Sequence, residues 1–478
     1  MNTQKNDLDP LFKPKSMAVV GVPRDGYRFG GLSFLKKLQT AGFPGALYPI
    51  NPKATEILGM KAYPDLPSLP EVPDLAMVSV GAGRVPDVLQ SCGEIGLKHI
   101  HILTSGFNEI GTNEGRELDD RIRTISEEYG LMVVGPNCMG PYCPSSHLTA
   151  WGAIPGKNGT LGIISQSGGI TQRLTEYTCS VNIGVAKAVS FGNGTVLGDI
   201  DFLQYMGEDD NVGVIAMYLE SVRDGNAFLR AAGEVNLKKP VILWKGGESE
   251  AGARTAASHT GALAGGRGAW EAFFRQTGVT RVSSMNEWVD AITAFTWLAP
   301  PSGIGVFLIG GGGGNSVSYS DTCVREGLSV PQLSEDTMAV LRGSVPSAGS
   351  IAGNPLDHFR IFQDAHYLAE LLDLAYKDPA IAMIVVDRLI PRMAFHLPDA
   401  PDSNPAVIQF LKGRKDGKPT VFTVDSEGGD PVLIQQGAEL RARFREQEIP
   451  AFPSLDRAAR ALRHLVAYGR RLRLRIED

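Results

Sequence analysis

"SMAVVGVPRDGYRFGGLSFLKKL", residues 16–38, passes from an apolar run through a glycine-bearing loop into a helical pattern. The run before Gly21 is apolar without alternation, which predicts a strand buried on both faces, as in a parallel sheet. The stretch "LSFLKKL" repeats its apolar residues at helical spacing. Glycines such as Gly21 let the main chain approach a phosphate, and the helix N-terminus that follows favours negative charge. The loop is not G-x-G-x-x-G, so alone it predicts strand, turn, helix and an anion of unspecified kind.

Outward from that unit the same rhythm continues. "GALYPIN", "LAMVSVG", "HIHILTSG" and "LMVVGPN" read as further strands, separated by helical patterns such as "PDVLQSCGEIG" and "EGRELDDRIRTISEEYG". Alternation of this kind means βαβ units and a parallel sheet. The turn-rich "GPNCMGPYCPSS" reads as a boundary, placing a first domain at 1–143. A second series, "TLGIISQSGG", "GVAKAVSFGN", "VGVIAMYLE" and "PVILWKGG", ends at "WLAPPSG", where two prolines stop a helix, giving 144–299. The third, 300–478, opens on "GIGVFLIGGGGG", continues through "IAMIVVDRL" and "PTVFTVD", and closes in "SLDRAARALRHLVAYGRRL". A length of 478 residues suits three α/β domains in tandem.

Composition narrows the function classes. With 43% hydrophobic and 21% charged residues the chain is an ordinary globular sequence. A net charge of −6 argues against a general binder of nucleic acid or anionic membrane. No run reaches the length of a membrane span, and the polar start has no apolar signal region. Five cysteines, an odd number, are expected as reduced thiols in a cytoplasm. Cys138 and Cys143 lack the second pair that a zinc site needs, so no metal site is predicted.

In open α/β sheets ligands bind beyond the C-terminal strand ends, and three such loops stand out. After the second strand, an NAD enzyme would carry an acid for the ribose diol; "YPINPK" carries Asn51 and Lys53 instead. A lysine there suits a phosphorylated ribose, with Arg24 in reach of the same phosphates. Coenzyme A and NADP both meet that requirement. In "GIISQSGGITQ" a helix opens at Ser167, Gly168 and Gly169, an anion cradle. It is not a nucleophile elbow, because position 165 is Ser where that motif has Gly. In "RTAASHTGALAG", residues 254–265, His259 sits among small residues that leave room for a phosphate on an imidazole nitrogen. Glu220, ending "VIAMYLE", is the candidate carboxylate for the other nitrogen.

Taken together, "RTAASHTGALAG", "YLESVRDG", "SQSGG", "GPNCMG", "YPINPKATEILGMKAYPDL" and "GNPLD" resemble the NDP-forming acyl-CoA synthetases, relatives of succinyl-CoA synthetase. The likeness runs from Leu11 to about residue 470. It implies a CoA-binding Rossmann-like domain followed by two flavodoxin-like domains, the arrangement of the family's α subunit. In the family an ATP-grasp module, which holds ATP/ADP with Mg, phosphorylates the histidine matching His259. The phosphate then passes to a small carboxylic acid, and CoA thiol attacks the acyl phosphate. By the same resemblance Glu220 steadies the histidine, and Ser167, Gly168 and Gly169 hold the phosphate. Asn137 and Cys138 line the place where thiol meets acyl group. Gly21, Arg24, Lys53, Thr104, Ser105 and Gly106 correspond to CoA contacts.

Two departures are visible. "GNGTV" (192–196) replaces the family's "GNKAD", with Gly194 for a lysine, and "GGGGGN" replaces an "NAGGPG"-like turn. The run 310–314 also lacks the Lys-Ser/Thr of a Walker P-loop. No ATP-grasp module follows "GRRLRLRIED", so the nucleotide step is expected to fall to a partner β subunit. The competing expectations are a CoA-binding regulatory chain without turnover and an NADP oxidoreductase.

Overall fold

The computed structural model describes residues 8–25, 30–149, 156–260 (main chain only over 256–260), 266–346, 349–388, 390, 404–412, 417–426 and 430–474. Two compact units divide between Ser283 and Ser284.

The first unit holds two large sheets. One consists of β1 (Ser16–Val20), β2 (Ala46–Ile50), β3 (Leu75–Val78), β4 (His99–Ile102) and β5 (Met132–Val134). Its order is β2-β1-β3-β4-β5, and every pairing is parallel. All of β1 and β3 are buried, as continuous apolar runs require when helices cover both faces. Strand order reverses between β1 and β3, so the loops after Val20 and Val78 part there and leave a crevice.

The other sheet contains β6 (Gly140–Tyr142), β7 (Asn158–Ser165), β8 (Val185–Ser190), β9 (Val214–Leu219), β10 (Val241–Lys245) and β11 (Thr280–Val282). Its order is β11-β10-β9-β7-β8-β6, with β6 alone antiparallel. The chain therefore changes sheets within "GPNCMG", between Val134 and Gly140. Order reverses again between β7 and β9, whose ends stand side by side with Ser165 in register with Tyr218.

The second unit has a parallel sheet ordered β12 (Val306–Ile309), β13 (Met383–Asp387), β14 (Thr420–Thr423), β15 (Ala451–Phe452). Strand alternation sends Phe307 and Ile309 into one core with Leu368, Leu371 and Phe444. Val306 and Leu308 enter the other, with Val466 and Leu462. The helix Met285–Trp297 belongs to this unit, although the proline stop suggests 299 as the division. It packs on the helix Leu455–Leu474, where Arg457 donates to both Asp290 oxygens at 2.6 and 2.7 Å. His464 and Glu287 stand 3.0 Å apart beside them, both buried. These are pairings between residues far apart in sequence, which a composition break cannot reveal.

Candidate active site

At the second reversal, β7 ends in Ser165 and turns through Gln166 into the helix Gly168–Ser180. The Ser167 hydroxyl accepts from the Ile170 amide at 3.4 Å, so it serves as the helix cap. Its neighbours differ in purpose. A Cβ on Gly168 would lie 2.5 Å from Met139, whereas one on Gly169 would meet nothing within 4 Å. Gly168 thus admits the "GPNCMG" loop, and Gly169 faces open space above the first helical amides, which have no acceptor inside the helix.

Glu220 follows β9 on the adjacent strand end and is 8% exposed. Tyr218 donates its hydroxyl to the Glu220 carboxylate at 3.3 Å. Burial and that carboxylate push the phenol up to about 12, so it stays a donor. Gln166 joins the two strand ends: its Oε1 accepts from the amides of Glu220 at 2.5 Å and Ser221 at 3.0 Å. Glu220 is consequently held through its main chain as well as through its carboxylate. The helix Glu250–Thr260 carries His259; the imidazole lies outside the described side chains. The main chain of this helix runs beside the turn Asn108–Ile110, just after Thr104, Ser105 and Gly106.

The first reversal contains the other predicted group. Gly21 has φ +87°, and a Cβ there would lie 2.4 Å from the Ser79 carbonyl oxygen. Only glycine fits so close an approach. Ser79 accepts from the Gly31 amide at 3.2 Å, setting the helix Gly31–Ala41 over the crevice. Asn51 accepts from the amides of Lys53 and Ala54 and donates to the Val22 carbonyl at 2.7 Å. This Asx turn ties the β1 and β2 loops together and leaves Arg24 and Lys53 exposed. Thr104 donates to Val80 O at 2.7 Å, while Ser105 is exposed. The amides of Gly106 and Phe107 donate to Glu109.

Asn137 and Cys138 link both halves. Asn137 has φ +59° and donates its amide to Thr104 O at 2.8 Å. Cys138 is buried, and burial pushes its thiol up to about 12, so it stays a neutral thiol. Its carbonyl lies 3.2 Å from Nε2 of His101. Burial pulls His101 down to about 4, leaving a neutral ring. A carbonyl only accepts, so Nε2 carries the proton.

The departing segment 192–195 is bonded on every side. Asn193 donates to Glu109 at 2.6 Å and accepts from Asn137 at 3.4 Å. The amides of Asn193 and Thr195 donate to Pro136 O and Gly135 O at 3.1 and 3.0 Å. Thr195 donates to Asp119 at 2.6 Å, and Arg223 donates to the carbonyls of Thr195 and Asn193. Sequence reasoning missed Gln166, Asn193, Arg223, His101 and Ser79 as parts of the site. "SQSGG" and "YLESVRDG" contained two of them, without a pattern to single them out.

Residues 15–144 match the CoA binding domain family, and residues 158–295 the succinyl-CoA ligase-like flavodoxin domain family. The acetate–CoA ligase (ADP-forming) I subunit alpha of Pyrococcus furiosus is 33% identical over 472 residues, covering 97% of this chain and 98% of that one. The acetate–CoA ligase (ADP-forming) I of Archaeoglobus fulgidus is 35% identical over 73% of this chain, which matches 50% of its longer sequence. A solved acetyl-coenzyme A synthetase 1 of Ca. Korarchaeum cryptofilum, in complex with phosphate and ADP, superposes with a TM-score of 0.86 at 31% identity, covering 99% of each chain. With strand ends, cradle and crevice arranged as described, the chain belongs to the ADP-forming acyl-CoA synthetase family as an α-subunit type.

Proposed function

We propose that this chain is the α subunit of a two-component enzyme catalysing acid + CoA + ATP ⇌ acyl-CoA + ADP + phosphate, with His259 as phosphoryl carrier. The observation that supports it most is the pairing of Glu220 with the Ser167–Gly169 helix start on adjacent strand ends, joined by Gln166. One holds a carboxylate where an imidazole needs orienting; the other offers amides and a helix dipole to a phosphoryl group.

In this reading an imidazole nitrogen of His259 attacks the terminal phosphorus of ATP on an ATP-grasp partner that also holds Mg, and ADP leaves. A carboxylate oxygen of the acid then attacks phosphorus, the N–P bond breaks, and the histidine is regenerated. The CoA sulfur, losing its proton, attacks the acyl carbon, and phosphate leaves with the C–O electron pair. Glu220 accepts from the N–H of the ring and favours attack by the other nitrogen. Asn137 and the neutral Cys138 wall the place where sulfur and acyl carbon meet. Gly21, Thr104, Ser105 and Gly106 let CoA lie against the main chain, and Arg24 and Lys53 meet its phosphates. The free thiols of all five cysteines suit a reducing cytoplasm. Among the described residues no helix is long and apolar enough to cross a membrane.

Two measurements test this. The pure chain given ATP, Mg, CoA and acetate is expected to make no thioester, and a cognate ATP-grasp chain is expected to restore it. Thioester from the single chain would refute the two-component reading. Calorimetry is expected to show CoA binding about tenfold tighter than dephospho-CoA at low salt, with Lys53→Ala removing most of the difference. Equal affinity of the unmodified chain for both would leave Lys53 a solvated charge.

A further inference from the structure

A small open cleft lies at the end of β10, lined by Lys245, Gly247, Glu248, Arg267, Trp270 and Arg281. It lies at both feet of the segment that carries His259: Gly247 and Glu248 precede the helix Glu250–Thr260, and Arg267 and Trp270 follow it. Lys245 is 3% exposed. Its ammonium is bonded to the Gly246 carbonyl and lies 5.3 Å from the centre of the Trp270 ring. Among the described residues it has no carboxylate partner within ion-pair distance. Burying a cation without an anion is strongly unfavourable, and a ring face and one carbonyl compensate it only in part. Burial accordingly lowers the affinity of Lys245 for its proton, with Glu248 and Glu220 opposing from farther off. The other cations are held at the rim. Arg281 donates to Glu248 at 2.8 Å and stacks on Phe274; Arg267 donates to Glu271 at 2.9 Å. Both pairs are partly or largely solvent-exposed, so exchanging those carboxylates for a ligand costs little.

We propose that this cleft binds a small tetrahedral oxyanion of the phosphate class, bridging Lys245 to Arg267 and Arg281 and so joining the two feet of the His259 segment. Ser167, Gly168 and Gly169 are not among its lining residues. Binding does not depend on the proposed reaction; that reading supplies only inorganic phosphate as the natural source.

Trp270 forms part of the wall and reports occupancy. The full chain, without partner or nucleotide, is titrated with inorganic phosphate at constant ionic strength while tryptophan emission is followed. Acetate and CoA serve as parallel arms. A saturable change is expected with phosphate, absent from Trp270→Phe, and weakened at least about tenfold in Lys245→Met and measurably in Arg267→Gln. A weaker or absent response to acetate supports the phosphate class, and an equal one overturns it. A stronger response to CoA than to phosphate would identify a CoA phosphate, not the free ion, as occupant. Unchanged affinity in both Lys245→Met and Arg267→Gln, or no Trp270-dependent signal, would overturn the site. If Lys245→Met fails to fold, Arg267→Gln, on an exposed position, decides alone. Phosphate heat that persists in every variant belongs to the Ser167 cradle, so failure here leaves the reaction reading standing.

Discussion

Replacing His259 by alanine is expected to abolish thioester synthesis, a loss on the order of 10⁶-fold, because a missing covalent carrier leaves nothing else to take the phosphoryl group. Among the described residues the other histidine side chains have partners of their own, His358 with Tyr367 at 3.1 Å and His366 with Glu370 at 3.3 Å among them. His101 is buried beneath Cys138, His147 lies 2.7 Å from the Ala41 carbonyl, and His464 is paired with Glu287. With labelled ATP and an ATP-grasp chain, the unmodified protein is expected to carry acid-labile, base-stable label. His259→Ala is expected to carry none. Full labelling of the variant would remove the phosphohistidine from the mechanism.

Glu220→Gln is expected to leave the fold intact and slow turnover by about 10⁴-fold, the scale seen when an orienting carboxylate becomes an amide. The amide side chain keeps the volume and a hydrogen bond to Tyr218, and the Gln166 contacts to the main chain are untouched. What disappears is the negative charge that fixes the tautomer of the ring and steadies the cation formed on phosphorylation. Thermal unfolding and kcat, measured on the same preparation, separate the two roles. A lowered Tm with ordinary turnover would make Glu220 a structural residue.

Much of the frame was legible because burial on both faces writes an unmistakable record. "AVV", "LAMV" and "VIAMYL" could hardly be anything but strands of a covered parallel sheet, and Ser167 before two glycines announced a capped helix start. The polar connections between loops were not legible. Gln166 meets Glu220 across 54 positions, Asn193 meets Glu109 across 84, and Thr195 meets Asp119 across 76. Hydrogen-bond partners brought together by sheet order leave no period in the chain. Nor could spacing tell Gly168, forced by contact with Met139, from Gly169 beside it, which faces open space. Nor did the sequence reveal that Cys138 is buried, which raises its thiol well above its ordinary value.

The segment 192–195 has a mechanical consequence. Changing the angle between the first two sheets would break the bonds of Asn193, Thr195 and Arg223 together, a stiff deformation with no gradual path. By contrast, Glu250 to Thr255 are exposed or half-buried, so lifting the first part of that helix strips no packed core. The start of that helix is therefore cheaper to move than the bonded segment 192–195. In the proposed reaction, a phosphoryl group carried on that helix would return to the same coordinates after every excursion, so the accuracy of transfer would depend on the frame and the reach on the helix.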